Sequence, residues 1–246
     1  MGFSEQMKET SQKKKSRVVV GLDLKVGDYK ELVGKVVGVL DSVQDEVCAV
    51  KVNFHLLLPL SFFELKGIID RAHNYGLQVI ADMKLNDISS TNLAATKILW
   101  DSGFDAVIAN PFVGFEEGLG PCIDDAHDKG KGVILLTYMS HKGAIEGYGL
   151  DVLCSGRVWK MYDLFVQRAL EWKADGVVVG ATSPQMISYV KQKAKSLPIF
   201  SPGSIAQGGD PKEAVKAGAD YLIVARGIVE SDDPCAAARR LKDITW

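Results

Sequence analysis

Short β-branched and apolar runs alternate along most of this chain with longer stretches whose apolar residues return every three or four positions. The runs predict eight strands, over residues 17–24, 46–52, 78–83, 105–109, 132–137, 176–180, 198–201 and 221–225. Several are apolar at every position, as at Val177, Val178 and Val179 or Leu222, Ile223 and Val224. That pattern belongs to parallel strands covered on both faces. Between the strands, Phe62, Leu65, Ile69 and Ala72 recur at helical spacing, as do Met161, Leu164, Phe165, Ala169 and Trp172, each set marking one buried stripe. Ser183-Pro184, Asp210-Pro211 and Asp233-Pro234 read as helix starts, an N-cap side chain followed by proline at the first helical position.

Three segments repeat a theme: Gly103-Phe104-Asp105, Ala174-Asp175-Gly176 and Gly218-Ala219-Asp220 each close a helix and open a strand. Eight βα units without a linker or a change of composition predict an α/β protein, a single closed (β/α)8 TIM barrel over residues 17–246 with its site at the C-terminal strand ends. An open doubly wound sheet is the alternative, but it wants a glycine-rich first turn, and Gly21-Leu22-Asp23-Leu24-Lys25-Val26-Gly27 matches GxGxxG poorly. Residues 1–16 are polar, carry Lys13, Lys14 and Lys15, and are expected to form a flexible tail.

With 246 residues, 47% of them hydrophobic and 24% charged, the chain can bury one sizeable core and is expected to carry one catalytic domain, without a fused phosphoribosyltransferase. A net charge of −2 gives no general attraction to nucleic acid or an anionic membrane, so phosphate binding must be local. Residues 1–16 contain no apolar stretch long enough for a signal peptide or membrane span. Cys48, Cys122, Cys154 and Cys235 match no zinc or redox spacing and are read as reduced, which predicts a cytoplasmic protein.

The polar residues that fall at predicted strand tips are Asp23, Lys51, Asp82, Lys84, Asp87, Ser140, Gln207 and Arg226. In a regular strand residues two apart share a face, which would put Asp82 beside Lys84, with Asp87 just beyond the strand end. A salt-bridge ring closing the barrel is the bland reading, and two lysines with three aspartates in one place favour a working site. After the seventh strand, Ser201-Pro202-Gly203-Ser204-Ile205-Ala206-Gln207-Gly208-Gly209 supplies flexible backbone amides. After the eighth, Ala225-Arg226-Gly227 adds a guanidinium, at the place where such barrels commonly hold phosphate. His141 is read as a loop residue, Tyr138, Met139 and Tyr148 as packing, and His55, His73 and His127 receive no role.

Taken in order, Lys51, Asp82-Met83-Lys84-Leu85-Asn86-Asp87-Ile88, Met139-Ser140-His141, Ser201-Pro202-Gly203 with Gln207, and Ala225-Arg226-Gly227 resemble the orotidine 5′-phosphate decarboxylase family over about residues 17–245. The resemblance implies conversion of orotidine 5′-monophosphate (OMP) to UMP in pyrimidine biosynthesis by an alternating charged array of Lys51, Asp82, Lys84 and Asp87. It further implies that Asp23 and Lys51 hold the ribose, Ser140 the pyrimidine amide edge, and Gln207 a bridge from base to phosphate. Phosphate itself would be bound by Arg226 with Pro202, Gly203, Gly208 and Ala225 of the loops. A homodimer is implied, with Asp87, Ile88 and Thr91 shared across the interface, and neither metal nor organic cofactor is. Ile205 departs from the pattern, because similar phosphate loops carry a small residue such as glycine there.

The chemistry fits that array. Loss of CO2 from C6 of a pyrimidine leaves an electron pair in the ring plane, which no π-system delocalises; a lysine ammonium both stabilises and protonates such a carbon. A hexulose-phosphate synthase or keto-gulonate-phosphate decarboxylase would share Asp-x-Lys-x-x-Asp but stabilise an enediolate with Mg²⁺, and Lys51 stands where those barrels put an acidic ligand. A silent barrel that binds a nucleotide as a sensor is the third reading, against which the intact Asp82, Lys84 and Asp87 set argues.

Overall fold

The computed structural model describes residues 1–24 and 29–246; residues 25–28 of the first βα turn, with Lys25, Val26 and Gly27 of the candidate glycine turn among them, lie outside the described residues. Its strands, in chain order, are β1 Val18–Gly21, β2 Ala49–Asn53, β3 Gln78–Leu85, β4 Ala106–Ala109, β5 Gly132–Tyr138, β6 Asp151–Cys154, β7 Arg157–Lys160, β8 Gly176–Val179, β9 Ile199–Pro202 and β10 Tyr221–Val224. Eight of them close into an all-parallel barrel in the order β1-β10-β9-β8-β5-β4-β3-β2. Each of the eight expected apolar runs supplies one barrel strand, so the open-sheet alternative falls. Val18, Val20, Val50, Val177 and Leu222 pack outward against the helices, while Val19, Ala49, Ile80, Ile134, Phe200 and Ile223 fill the interior. Burial on both sides explains why the strands read as unbroken apolar runs. No helix among the described residues is long and apolar enough to cross a membrane.

The recurring aspartates explain the repeated theme. Asp105, Asp175 and Asp220 stand immediately before β4, β8 and β10, and each clamps the neighbouring strand twice. Val79 N–H donates to Asp105 Oδ2 at 2.9 Å while Asp105 N–H donates to the Val79 carbonyl at 2.9 Å. Val133 and Asp175 make the same pair of bonds, as do Ile199 and Asp220. A basic side chain backs each carboxylate: His73 Nε2 lies 2.9 Å from Asp105, His127 Nε2 lies 3.1 Å from Asp175, and Lys191 donates to Asp220 at 2.8 Å. These clamps sit at the N-terminal strand ends, away from the C-terminal mouth, which gives His73 and His127 a structural place.

Residues 1–16 are not the expected flexible tail. Phe3–Lys14 form helix α1, with Phe3 and Met7 fully buried. The Phe3 ring stacks on Phe200 at 6.5 Å, and Phe200 stacks on Tyr221 at 4.8 Å inside the barrel. Gly132 makes room for it, since a Cβ there would come within 2.5 Å of the Phe3 ring. The helix is a stopper in the N-terminal mouth. Three apolar residues in sixteen, Met1, Phe3 and Met7, were too sparse a stripe to signal it, because the burying surface comes from distant strands.

Between β5 and the helix Met161–Glu171, β6 and β7 form an antiparallel hairpin that the strand reading omitted. Ser155 and Gly156 turn it with φ of 50° and 73°, the left-handed pair that such a two-residue loop requires. The signal was present, a small-residue dipeptide between alternating runs. Among the expected caps, Asp210 accepts from the N–H groups of Lys212 and Glu213, and Asp233 from that of Ala236. Ser183 precedes its proline as expected but makes no side-chain cap bond. Of the two predicted stripes, Leu65, Ile69 and Ala72 are buried in Phe62–Asn74 while Phe62 is exposed, and Phe165 and Ala169 are buried in Met161–Glu171.

Candidate active site

The C-terminal ends of the barrel strands surround one cleft. Of the residues singled out in the sequence, Asp23, Lys51, Asp82, Lys84, Ser140, Pro202, Gly203, Gln207, Ala225 and Arg226 line it. Asp87, Ile88, Thr91 and Gly208 do not, so the cleft of this chain contains three of the four expected charges of the array.

Lys51 points from the middle of β2 and Asp82 from β3, where Asn53, the last residue of β2, pairs in register with Asp82. Lys51 Nζ donates to Asp82 Oδ2 at 2.9 Å, and Lys84 Nζ donates to Asp82 Oδ1 at 2.6 Å. Both lysines therefore share one carboxylate, an oxygen each. Burial alone pushes the Asp82 carboxyl up; the charges and hydrogen bonds of Lys51 and Lys84 outweigh it and hold the group below the ordinary carboxylate range. Asp82 is thus an anion at neutral pH despite being only 6% exposed.

The contact between Asp82 and Lys84 does not arise from regular strand alternation. The β3–β4 register shifts between Ala81 and Leu85, and Lys84 has φ of 48°. A side chain other than glycine in that region is strained, and such strain persists where the surroundings fix it. The irregularity turns the Lys84 ammonium onto Asp82. Beyond the strand, Asp87 is exposed and accepts from the Ile88 N–H at 2.7 Å, and Ile88 is 60% exposed.

On the opposite wall the loops after β5, β9 and β10 meet. Ser140 is held by close backbone approach, because a Cβ on Gly180 would lie 2.6 Å from its Cα and one on Gly203 2.7 Å from its Cβ. Gly203 has φ of 94°, and Gln207 reaches back over it. Arg226 is exposed at the start of the short helix Arg226–Val229. Ile205 has φ of 69°, a left-handed position, which accounts for its standing out in the sequence: glycine takes that conformation without strain. The Ser204 hydroxyl is buried beside it without a hydrogen-bond partner among the described residues.

Sequence reasoning missed Asn53 and the apolar floor of Ile108, Leu136, Val178 and Ile223, and placed Ser204 and Ala206 in the phosphate loop without singling them out. Asn53 was legible, two residues after Lys51 on the same strand face. The floor was not, since inward and outward positions of a doubly covered strand look alike. Met139, read as packing, forms part of the cleft wall, while Tyr138 and Tyr148 pack on each other at 6.0 Å.

A family model described as "Orotidine 5'-phosphate decarboxylase / HUMPS family" matches residues 16–241. Among curated proteins, an orotidine 5′-phosphate decarboxylase of Pyrococcus abyssi is 32% identical over 92% of this chain and 97% of its own length. One of Thermococcus kodakarensis is 34% identical, over 92% and 95%. Among solved structures, the orotidine 5′-monophosphate decarboxylase of Methanocaldococcus jannaschii complexed with the inhibitor BMP superposes with a TM-score of 0.79 at 29% identity, covering 94% of this chain and 98% of that one. The OMP decarboxylase of Leishmania donovani gives 0.84 at 26%, covering 99% and 97%.

Proposed function

Because the chain belongs to the orotidine 5′-phosphate decarboxylase / HUMPS family, we propose that it is the decarboxylase that converts OMP to UMP and CO2 in pyrimidine biosynthesis. The observation that carries this reading is the buried Asp82 carboxylate held between Lys51 and Lys84 at the mouth of the barrel.

In the proposed reaction the bond from C6 to the carboxylate breaks, its electron pair stays on C6, and CO2 leaves. Asp82 lies beside the departing carboxylate and opposes it; that repulsion is relieved in the transition state. Lys84 stabilises the new electron pair and then delivers an Nζ proton to C6, forming UMP. One contact is insufficient. Two unit charges ~4 Å apart at an effective dielectric of ~20 interact by ~4 kcal/mol, whereas enzymes lower barriers by roughly 8 to 23 kcal/mol. The rest is assigned to the preorganised array and to binding energy from the phosphate, gripped by Arg226, Gly203 and Gln207 with the loop amides. Asp23 and Lys51 hold the ribose, and Ser140 the amide edge of the base.

Asp87, Ile88 and Thr91 stand exposed outside their own subunit's cleft. In this reading they complete the site of a second copy in a homodimer.

Within the family, Mg²⁺-dependent chemistry is the competing reading, and two ammonium groups on Asp82 oppose a divalent cation there. Purified protein incubated with OMP in excess EDTA is expected to release UMP and CO2 at the rate seen without chelator. Loss of turnover on chelation, restored by Mg²⁺, would refute the metal-free mechanism; no turnover under either condition would refute the substrate.

A further inference from the structure

Asn53 stands between two opposite charges. Its side-chain carbonyl accepts from Lys51 Nζ, and its Nδ2 donates to Asp23 Oδ1 at 2.6 Å. The amide orientation is fixed by its neighbours, because an ammonium only donates and an ionised carboxylate only accepts. Lys51 and Asp23 themselves are 3.7 Å apart, too far for a direct hydrogen bond, while Lys51 is 2.9 Å from Asp82.

Two features make that separation informative. The Lys51 side chain is 5% exposed and that of Asp23 27%, so their attraction is only partly screened by solvent. Asp23 also follows the last residue of β1, outside the barrel hydrogen bonding that fixes Lys51. An ion pair in this setting would close to about 2.8 Å unless something stood in its way. The Asn53 amide occupies that position, satisfying each charge with a dipole of the correct sign.

We infer that Asn53 is a positioning residue that holds Asp23 away from Lys51, so that Asp23 faces substrate and Lys51 stays committed to Asp82. This rests on the reading of the cleft as an OMP site. Without the amide, Asp23 swings onto Lys51 and is withdrawn from the ribose. The defect then appears mainly in substrate binding and operates through Asp23.

The test is a double-mutant cycle. Asn53→Ala is expected to raise KM for OMP about ten-fold, with kcat falling by less than about three-fold, the size expected for losing one hydrogen bond to a charged group. In an Asp23→Ala background the same change should add less than about two-fold, since the group it positions is gone. Asn53→Asp keeps the volume and the acceptor for Lys51 but aims a second carboxylate oxygen at Asp23, and it too should raise KM. A KM within about two-fold of the wild type in both Asn53 variants, or penalties that multiply in the double mutant, would overturn the inference. A role in folding alone would lower the melting temperature and leave KM unchanged. Should the wild type leave OMP untouched, the functional reading falls and a crystal structure of the Asn53→Ala protein decides this one. Closure of Lys51 onto Asp23 to about 3 Å supports it, and a separation unchanged from the wild type refutes it.

Discussion

Two residues in left-handed backbone mark opposite relations between sequence and site. At Lys84 the strained φ of 48° turns the ammonium onto Asp82, so strain is held at the group proposed to protonate C6. Lys84→Ala is expected to lower kcat by several orders of magnitude while UMP affinity, measured by calorimetry, changes by less than about ten-fold. Arg226→Ala should do the reverse, raising KM for OMP by at least about two orders of magnitude through loss of a phosphate contact. Equal, small effects of both on kcat/KM would contradict these roles. Ile205, with φ of 69°, does not line the cleft, and a left-handed residue with a side chain costs roughly 1–2 kcal/mol. Ile205→Gly removes that strain at a smaller entropic cost and should raise the melting temperature by about 1–3 °C. Ile205→Ala loses the same packing over Gly227 as the glycine variant but keeps a Cβ in left-handed backbone, and should lower it. The Ile205 departure was visible in the sequence; the bulge at Lys84 was not, because it depends on how β3 and β4 pair.

At the scale of elements, the repeated aspartates predict a division between stability and catalysis. Removing the carboxylate in Asp105→Ala or Asp175→Ala leaves a strand N–H unpaired, at about 1–3 kcal/mol, with KM for OMP unchanged because the clamps lie at the far barrel end. Acid separates the two. Burial pushes Asp105 up, but His73, Lys131 and the Val79 N–H outweigh it and its carboxyl titrates below the ordinary value. Its stabilisation is complete above the unfolded pKa of about 4 and disappears as pH falls through the folded value. At Asp175 burial outweighs the Val133 N–H and His127, and the carboxyl titrates above the ordinary value. There the folded state holds its proton more tightly than the unfolded one, so its contribution improves as pH falls from neutral. In denaturant melts taken from pH 7 down to 3, the stability advantage of the wild type should therefore shrink against Asp105→Asn and grow against Asp175→Asn. The same direction in both would refute the assignment.

For the whole molecule, α1 and the opposite mouth should be separable. Phe3→Ala removes the ring packed on Phe200 and should cost about 3–5 kcal/mol, read from denaturant unfolding, with KM at 25 °C within two-fold of the wild type. A changed KM at unchanged stability would mean that the stopper communicates with the site. The exposed Asp87, Ile88 and Thr91 lead to a different expectation. Mixing Lys84→Ala with Asp87→Ala subunits, each inactive alone, should restore activity, because a heterodimer contains one site with both native groups. After verified subunit exchange, continued inactivity would argue against a shared site.

Local physics sufficed for much of this chain. Eight apolar runs, the proline-marked helix starts and the order of charged tips specified a parallel barrel and most of its site, because burial on both faces and capping leave traces within a few residues. What depended on tertiary structure were contacts between distant segments. The seat of α1 needs Phe200 and Gly132, far along the chain from Phe3. The turning of Lys84 needs the slipped register of β3 on β4, and the amide between Asp23 and Lys51 needs β1 and β2 side by side. Hydrophobic spacing reports which face of an element is covered; it carries no information on which distant residue covers it.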